Sequence, residues 1–343
     1  MRPGRMASST PVPPGLILDC DAGIDDAQAL FALLCAHERG SIRLLCIICT
    51  AGNCALDDVI GNVCAVLTNY SSDISIPVFV GSSRPLVKPA TPAGDWHGAD
   101  GLGGLGHGKS ASRRFVDSSR HGANAFLDVA RAELSQGRRV QVLVTGPCTT
   151  LALALRLQRD TELERAVSRL VVMGGAYEAR GNTSAVAEYN IAEDPEAAAI
   201  VMGTHWDCDF AGLVTWELTM RHGLPARAVD AWLGAGTPRS RFLSSISQHL
   251  LRASEAVDPV RFKSTGFFIP DPIAAVVVLR PDAVTSKTEP LGVLVETTGT
   301  FSRGQTIVQW MGQNAELAPR IWTIVKSVSD EIVEEVLVGS IQP

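Results

Sequence analysis

The sequence predicts an α/β fold: an open, mainly parallel sheet flanked by helices, with a mostly helical C-terminal portion. Three observations carry this. Apolar strand-like runs alternate with helix-like segments from residue 16 to about residue 220, the pattern of successive βαβ units. The strand-like runs are apolar almost throughout instead of alternating with polar residues, as happens when helices cover both faces of a sheet. Carboxylates and carboxamides collect just after these runs, at the sheet edge where open α/β folds bind their ligands.

The elements follow in order. LILDCD (16–21) reads as the first strand and DDAQALFALLCAHERG (25–40) as a helix with apolar residues at helical spacing. Strand RLLCIICTAG (43–52), helix DDVIGNVCAVLTNY (57–70) and strand IPVFVG (76–81) come next. After a Gly-rich stretch come helix NAFLDVARAEL, strand VQVLVTGP, helix TTLALALRL, strand RLVVMGGA, helix DPEAAAIVM and strand DFAGLVT. Beyond about residue 220 the pattern is mostly helical (PARAVDAWL, RFLSSISQHLLRASEA, DPIAAVVVL), with a hairpin at 291–310 and a closing helix at SDEIVEEVL. Residues 1–14, rich in Pro, Ser and Gly, read as a disordered N-terminal extension, and residues 15–343 as a single domain. The extension has two arginines but no apolar core, so it does not read as a secretory signal.

Composition excludes several classes of function. Of the 343 residues, 46% are hydrophobic and 19% charged, a globular balance that can bury a large core. A net charge of -6 argues against a nucleic-acid-binding surface. No run of about 18 apolar residues is present, so no membrane span is expected. Most of the eight cysteines, Cys46 and Cys49 of a Cys-x-x-Cys pair among them, lie in apolar runs. They read as buried reduced thiols of a cytoplasmic protein, not as a zinc or redox site.

The polar residues at the strand ends form a pattern. Asp19, Asp21, Asp25 and Asp26 follow the first strand, Thr50 and Asn53 the second, and Thr145 the fourth. Gly174 and Gly175, then Asn182, Glu188, Tyr189 and Asn190, follow the fifth, and Pro270-Asp271-Pro272 stands at a later helix start. Four clustered acids cannot all stay ionised without a cation, and hard oxygen ligands select Ca²⁺ or Mg²⁺. Asp25 and Asp26 fall in a first helical turn, where the dipole tolerates negative charge and capping alone could account for Asp25. Capping does not account for Asp19 and Asp21. A metal cage beside amides and a spare carboxylate suits a polyol ligand and metal-assisted hydrolysis.

DCDAGIDD, TAGN, VTGP, MGGA, the block GNTSAVAEYNIAEDPEAA and the later DP, taken in this order from residue 16 to about 272, resemble the inosine–uridine-preferring nucleoside hydrolases. The resemblance implies an open α/β fold, bound Ca²⁺ and cleavage of the N-glycosidic bond of purine or pyrimidine ribonucleosides to free base and ribose. It implies that Asp21 is both a calcium ligand and the general base that activates the metal-bound water. Asp26, the Thr145 carbonyl and Asp271 would complete the protein part of the calcium shell. Asp25, Asn53, Asn182, Glu188 and Asn190 would grip the ribose, His97 would sit at the base site, and Asp19 would be a supporting acid. A homodimer or homotetramer is implied as well.

One departure stands out. Well-known members carry a His immediately before the late metal-binding Asp, and this chain has Pro270. A ribose-binding homologue with impaired catalysis is therefore an alternative. Trp96 and His249 are further candidates for the base site, and the GLGGLGHG stretch containing His107 reads as a lid over the pocket, not a phosphate loop. Asp-x-Asp after a first strand also occurs in aspartate-nucleophile phosphatases. That reading fails on Gly23 and leaves Asn182, Glu188 and Asn190 without a role. Base preference is not legible.

Overall fold

The computed structural model describes residues 12–257, 259–285, 288–310 and 320–342. Residues 1–11 of the expected extension lie outside the described residues. Residues 13 and 14, expected in the disordered extension, are held against the sheet: the Arg43 backbone N donates to Pro14 O (2.8 Å) and its Nε to Pro13 O (3.0 Å).

Twelve strands occur among the described residues. They are β1 Gly15–Cys20, β2 Arg43–Cys49, β3 Val78–Val80, β4 Val116–Asp117, β5 Val140–Val144, β6 Val167–Met173, β7 Phe210–Val214, β8 Gly223–Leu224, β9 Phe267–Phe268, β10 Thr288–Val295, β11 Thr306–Gln309 and β12 Arg320–Val325. Ten form one sheet in the order β11-β10-β12-β7-β6-β5-β1-β2-β3-β4, and β8 pairs with β9 in a small antiparallel ribbon. From β4 to β12 every neighbouring pair in the large sheet is parallel; β10 runs antiparallel to β12 and to β11. The expected hairpin at 291–310 is thus β10–β11. The parallel strand β12, RIWTIV, was not anticipated in the C-terminal portion.

The chain winds outward from β1 through β2 and β3 to β4, then restarts on the other side of β1 with β5 and continues to β6 and β7. The strand order reverses between β1 and β5. A crevice opens beyond the carboxyl ends of strands at such a switch point, and these two ends carry Asp19–Asp26 and Thr145.

Both faces of the sheet are covered. Leu16, Leu18 and Cys20 of β1 face one apolar cluster with helices Ile24–Glu38, Leu56–Tyr70 and Pro270–Leu279. Ile17 faces the other, with helices Gly122–Leu134, Thr149–Leu157 and Pro195–Gly203. This double coverage makes all six residues of β1 buried and removes any polar alternation from it. The helices start where local chemistry allows. Asp194 accepts the Ala197 N–H (3.1 Å) ahead of Pro195, and Ser329 accepts the Ile332 N–H (3.3 Å) at the start of Asp330–Ser340.

Candidate active site

The site begins at the turn that joins β1 to the first helix. Ala22 adopts φ +44°, a left-handed conformation that costs a non-glycine residue roughly 1–2 kcal/mol. Gly23 then caps the helix Ile24–Glu38 in an extended conformation, and its N–H donates to Asp26 Oδ2 (2.8 Å). Asp25 and Asp26 thereby enter the first helical turn. Asp21 lies against neighbouring backbone: a Cβ on Gly52 would overlap its carboxylate, and one on Gly146 would stand 2.9 Å from Asp21 Cβ.

The turn gathers buried carboxylates without buried cations. Asp19, Asp21, Asp25, Asp26 and Asp271 are all buried. Among the described residues, the only ion pair made by any of them joins Asp25 Oδ1 to His97 Nδ1 at 3.6 Å. That histidine is not a cation near neutral pH, because burial pulls it down to about 4. Its Nδ1 accepts the Ile24 N–H (3.2 Å), which assigns the ring proton to Nε2.

Burial pushes every one of these acids up. Asp25 rises to about 6, and Asp26, with the Asp25 charge adding to its burial, also to about 6. Asp19 rises to about 8. Asp21 and Asp271 are raised well above the usual carboxylate range, by burial first and then by neighbouring carboxylates. Ligand oxygens of Asp25, Asp26 and Asp271 lie within 4.8 Å of one another, and the buried Asp25 Oδ1 has no hydrogen-bond partner among the described residues. This all-oxygen cluster can hold a metal ion, and its donor type is that of hard divalent cations.

The other residues singled out from the sequence are drawn to the same place. One cleft is lined by Asp25, Asn53, His97, Thr145, Asn182, Glu188, Asn190 and Asp271. Several of them are already engaged. Asn53 donates to Asp21 from its backbone N (2.8 Å) and Nδ2 (2.9 Å), and Nδ2 also reaches Asp26 (3.3 Å). Thr145 donates its hydroxyl to Asp26 Oδ1 (2.6 Å), and its carbonyl accepts Asn190 Nδ2 (2.9 Å). Glu188 collects the N–H groups of Gly175, Asn190 and Ile191, yet burial still raises it to about 7. Asn182 is exposed at the rim and accepts the Tyr189 N–H (2.8 Å). Asp19 supports the turn from below, accepting the Thr50 hydroxyl (2.6 Å).

Beside the polar Thr183 and Tyr189, the rest of the lining is apolar: Ala93, Met173, Trp96, Trp216, Leu250, Phe268 and Pro270. Of these apolar residues, sequence reasoning weighed Trp96 and Pro270 and missed the others, because aromatic and aliphatic residues inside apolar runs look like core. His249 does not line the cleft. It is half-buried, with Nε2 3.3 Å from Asp95 O, and its neighbour Leu250 takes the lining position. His107 packs edge-on against Phe242. The glycine-rich stretch is wound around Asp100, whose carboxylate accepts the N–H groups of Leu102, Gly104 and Gly106. Asp100 and its partner Asn62 were also missed.

The pH dependence has a definite sign. Asp19 and Glu188, with ordinary values of 3.8 and 4.5, are raised to about 8 and about 7. The folded metal-free chain therefore binds more protons than the unfolded chain, and stability falls as pH rises through this range. His97 acts oppositely, but only below its ordinary value of 6.5. The melting temperature of the metal-free protein is expected to fall between pH 6.5 and pH 8 in thermal unfolding, and a rise over that window would contradict the assigned burial.

Comparison with known proteins agrees with this geometry. Residues 16–335 match the family model described as inosine–uridine preferring nucleoside hydrolase. An inosine–uridine preferring nucleoside hydrolase of Leishmania major is 31% identical over 300 residues, covering 87% of this chain and 88% of the relative. A non-specific ribonucleoside hydrolase of Klebsiella pneumoniae is 32% identical, covering 88% and 92%. The solved structure of an inosine–guanosine nucleoside hydrolase superposes with a TM-score of 0.83 at 29% identity, covering 96% of this chain and 98% of that one. The chain is an enzyme of the inosine–uridine preferring nucleoside hydrolase family.

Proposed function

We propose that this protein hydrolyses the N-glycosidic bond of ribonucleosides in a calcium-dependent reaction with Asp21 as general base. The observation that carries the reading is the group of buried acids that reaches, through Asp25 and Asp271, a cleft also lined by amides and a carboxylate suited to ribose hydroxyls. Asp21, Asp26, the Thr145 carbonyl and Asp271 would hold the ion. Asp25 stands among the same acids, so its carboxylate can serve the ion and a ribose hydroxyl together. Bound there, calcium supplies Lewis acidity toward water and offsets the repulsion among the carboxylates.

The chain's own groups do the rest. Asp21, held on both oxygens by Asn53, takes a proton from the attacking water. Its acidity, weakened by burial in the metal-free chain, returns to a normal range beside a cation. Asp25, Asn53, Asn182, Glu188 and Asn190 orient the ribose. As the C1′–N bond breaks, positive charge builds on the sugar ring, and the carboxylates and amide oxygens fixed around it stabilise that charge. At the base end, the aromatic faces of Trp96, Trp216 and Phe268 offer stacking surface, and His97 offers an Nε2–H donor.

Pro270 supplies no proton to the leaving base. This favours one second reading, a homologue that binds ribose and metal without turnover. We further propose a cytoplasmic homodimer or homotetramer. Eight free cysteines, seven of them buried, suit a reducing compartment. Exposed Phe301, Trp310 and Ile321 offer apolar surface for association. Among the described residues no helix is long and apolar enough to cross a membrane.

Release of free base and ribose from inosine, uridine, adenosine and cytidine, assayed with calcium and after chelation, tests the reading. Calcium-dependent release is expected, and the ranking reports the base preference. Calcium binding with no release from any of the four would reject catalysis in favour of the binding homologue. Asp21→Asn is expected to fold normally and to lower kcat by at least about 10²-fold, the scale of general-base catalysis; a kcat within a few-fold of the parent would remove Asp21 from that role.

A further inference from the structure

The acidic turn and the loop that carries Trp96 and His97 meet at a residue outside every cleft and motif described so far. Asn62 sits on the helix Leu56–Tyr70 and is 1% exposed. Its Nδ2 donates to Ala22 O (3.1 Å) and to Asp100 O (2.7 Å). Two carbonyl acceptors fix the orientation of the amide, since only the NH₂ end can satisfy both. Its Oδ1 is buried with no partner among the described residues, so the side chain is held through Nδ2, by the two carbonyls and a weaker contact to Cys54 Sγ (3.8 Å).

Both acceptors are structurally special. Ala22 is the left-handed residue of the acidic turn, at φ +44°. Asp100 is the residue whose carboxylate winds the following glycine-rich loop. The packing at this junction is close: a Cβ on Gly101 would stand 2.8 Å from Asn62 Nδ2 and 3.3 Å from Ala22 O. A second tie runs in parallel, from the Ile24 N–H to His97 Nδ1 (3.2 Å). The turn bearing Asp21, Asp25 and Asp26 and the segment bearing Trp96 and His97 are therefore joined through His97, which meets Ile24 N and Asp25 Oδ1, and separately through Asn62.

We propose that Asn62 is a positioning residue: its carboxamide locks the strained Ala22 turn to the Asp100 loop, so that the acid cluster and the base end of the cleft form as one unit. The bearing of this lock on turnover rests on the hydrolase reading given above; the lock itself does not. Removing it frees Ala22 to leave its left-handed conformation and lets the acids and the aromatic loop drift apart.

The test uses Asn62→Ala and the milder Asn62→Ser, whose hydroxyl can still donate to one carbonyl, each in the parent and in an Ala22→Gly background. In the metal-free chain, hydrogen exchange of peptides covering 19–27 and 95–106 is expected to rise together in Asn62→Ala and to a lesser extent in Asn62→Ser. Exchange unchanged in both peptides, or raised only within the helix 56–70, would overturn the proposal. In the calcium-loaded chain, calcium affinity and kcat are expected to drop about 10- to 100-fold, as for residues that orient metal ligands. The drop should be smaller in the Ala22→Gly background, because glycine holds the left-handed turn without strain. An equal drop in both backgrounds, or a lower melting temperature with calcium affinity and kcat unchanged, would also overturn it. A parent protein that releases no base would sink the hydrolase reading while the exchange experiment still decides the role of Asn62.

Discussion

Five buried carboxyl groups that, among the described residues, pair with no lysine or arginine are the constraint on which the rest of the site depends. Asp19, Asp21, Asp25, Asp26 and Asp271 gain nothing from the apolar clusters around them, and their mutual repulsion opposes folding wherever they ionise. The metal-free chain meets this by holding protons, which is what the raised Asp and Glu values express. A divalent cation meets it differently, by replacing protons with positive charge in the same place. The geometry of the turn suits the second solution. Ala22 accepts a left-handed conformation, and Gly52 and Gly146 leave no room beside Asp21 for a side chain.

The fold brings the remaining chemistry to this point. The reversal of strand order between β1 and β5 opens the crevice, and the ends of β1, β2, β5 and β6 deliver in turn the acids, Asn53, Thr145 and the segment with Glu188 and Asn190. Helix Pro270–Leu279 returns from the far end of the chain to supply Asp271. Most of the polar residues hold one another before any ligand arrives. Asn53 grips Asp21, Asn190 grips the Thr145 carbonyl, and Glu188 is fixed by three backbone N–H groups. A network satisfied in this way is rigid, and rigid dipoles are what stabilise charge developing on a sugar ring.

Much of this was legible in the sequence, for physical reasons. Helix capping could account for Asp25 but not for Asp19 and Asp21 at the end of an apolar strand, so DCDAGIDD points to a site. The double coverage of the sheet writes itself into apolar runs such as LIL (16–18) and LLCIIC (44–49). Other parts were not legible. β12 carries the exposed Arg320 and Ile321 beside the buried Trp322 and lies between the expected hairpin and the closing helix, so no separate strand signal stood out. Trp216 and Phe268 look like core because the cleft is walled by the same residue types that fill the interior. Asn62 is one amide inside an amphipathic helix, and nothing local says that its partners are Ala22 and Asp100, 40 and 38 positions away.

The central claim is that the buried acids exist to hold a cation, and calorimetric titration of the metal-free protein with calcium at neutral pH addresses it most directly. Run in two buffers of different ionisation enthalpy, the titration also counts protons. The account predicts a saturable calcium site with release of protons from the raised carboxylates. Absence of binding by calcium and by magnesium, in protein shown to be folded, would contradict it.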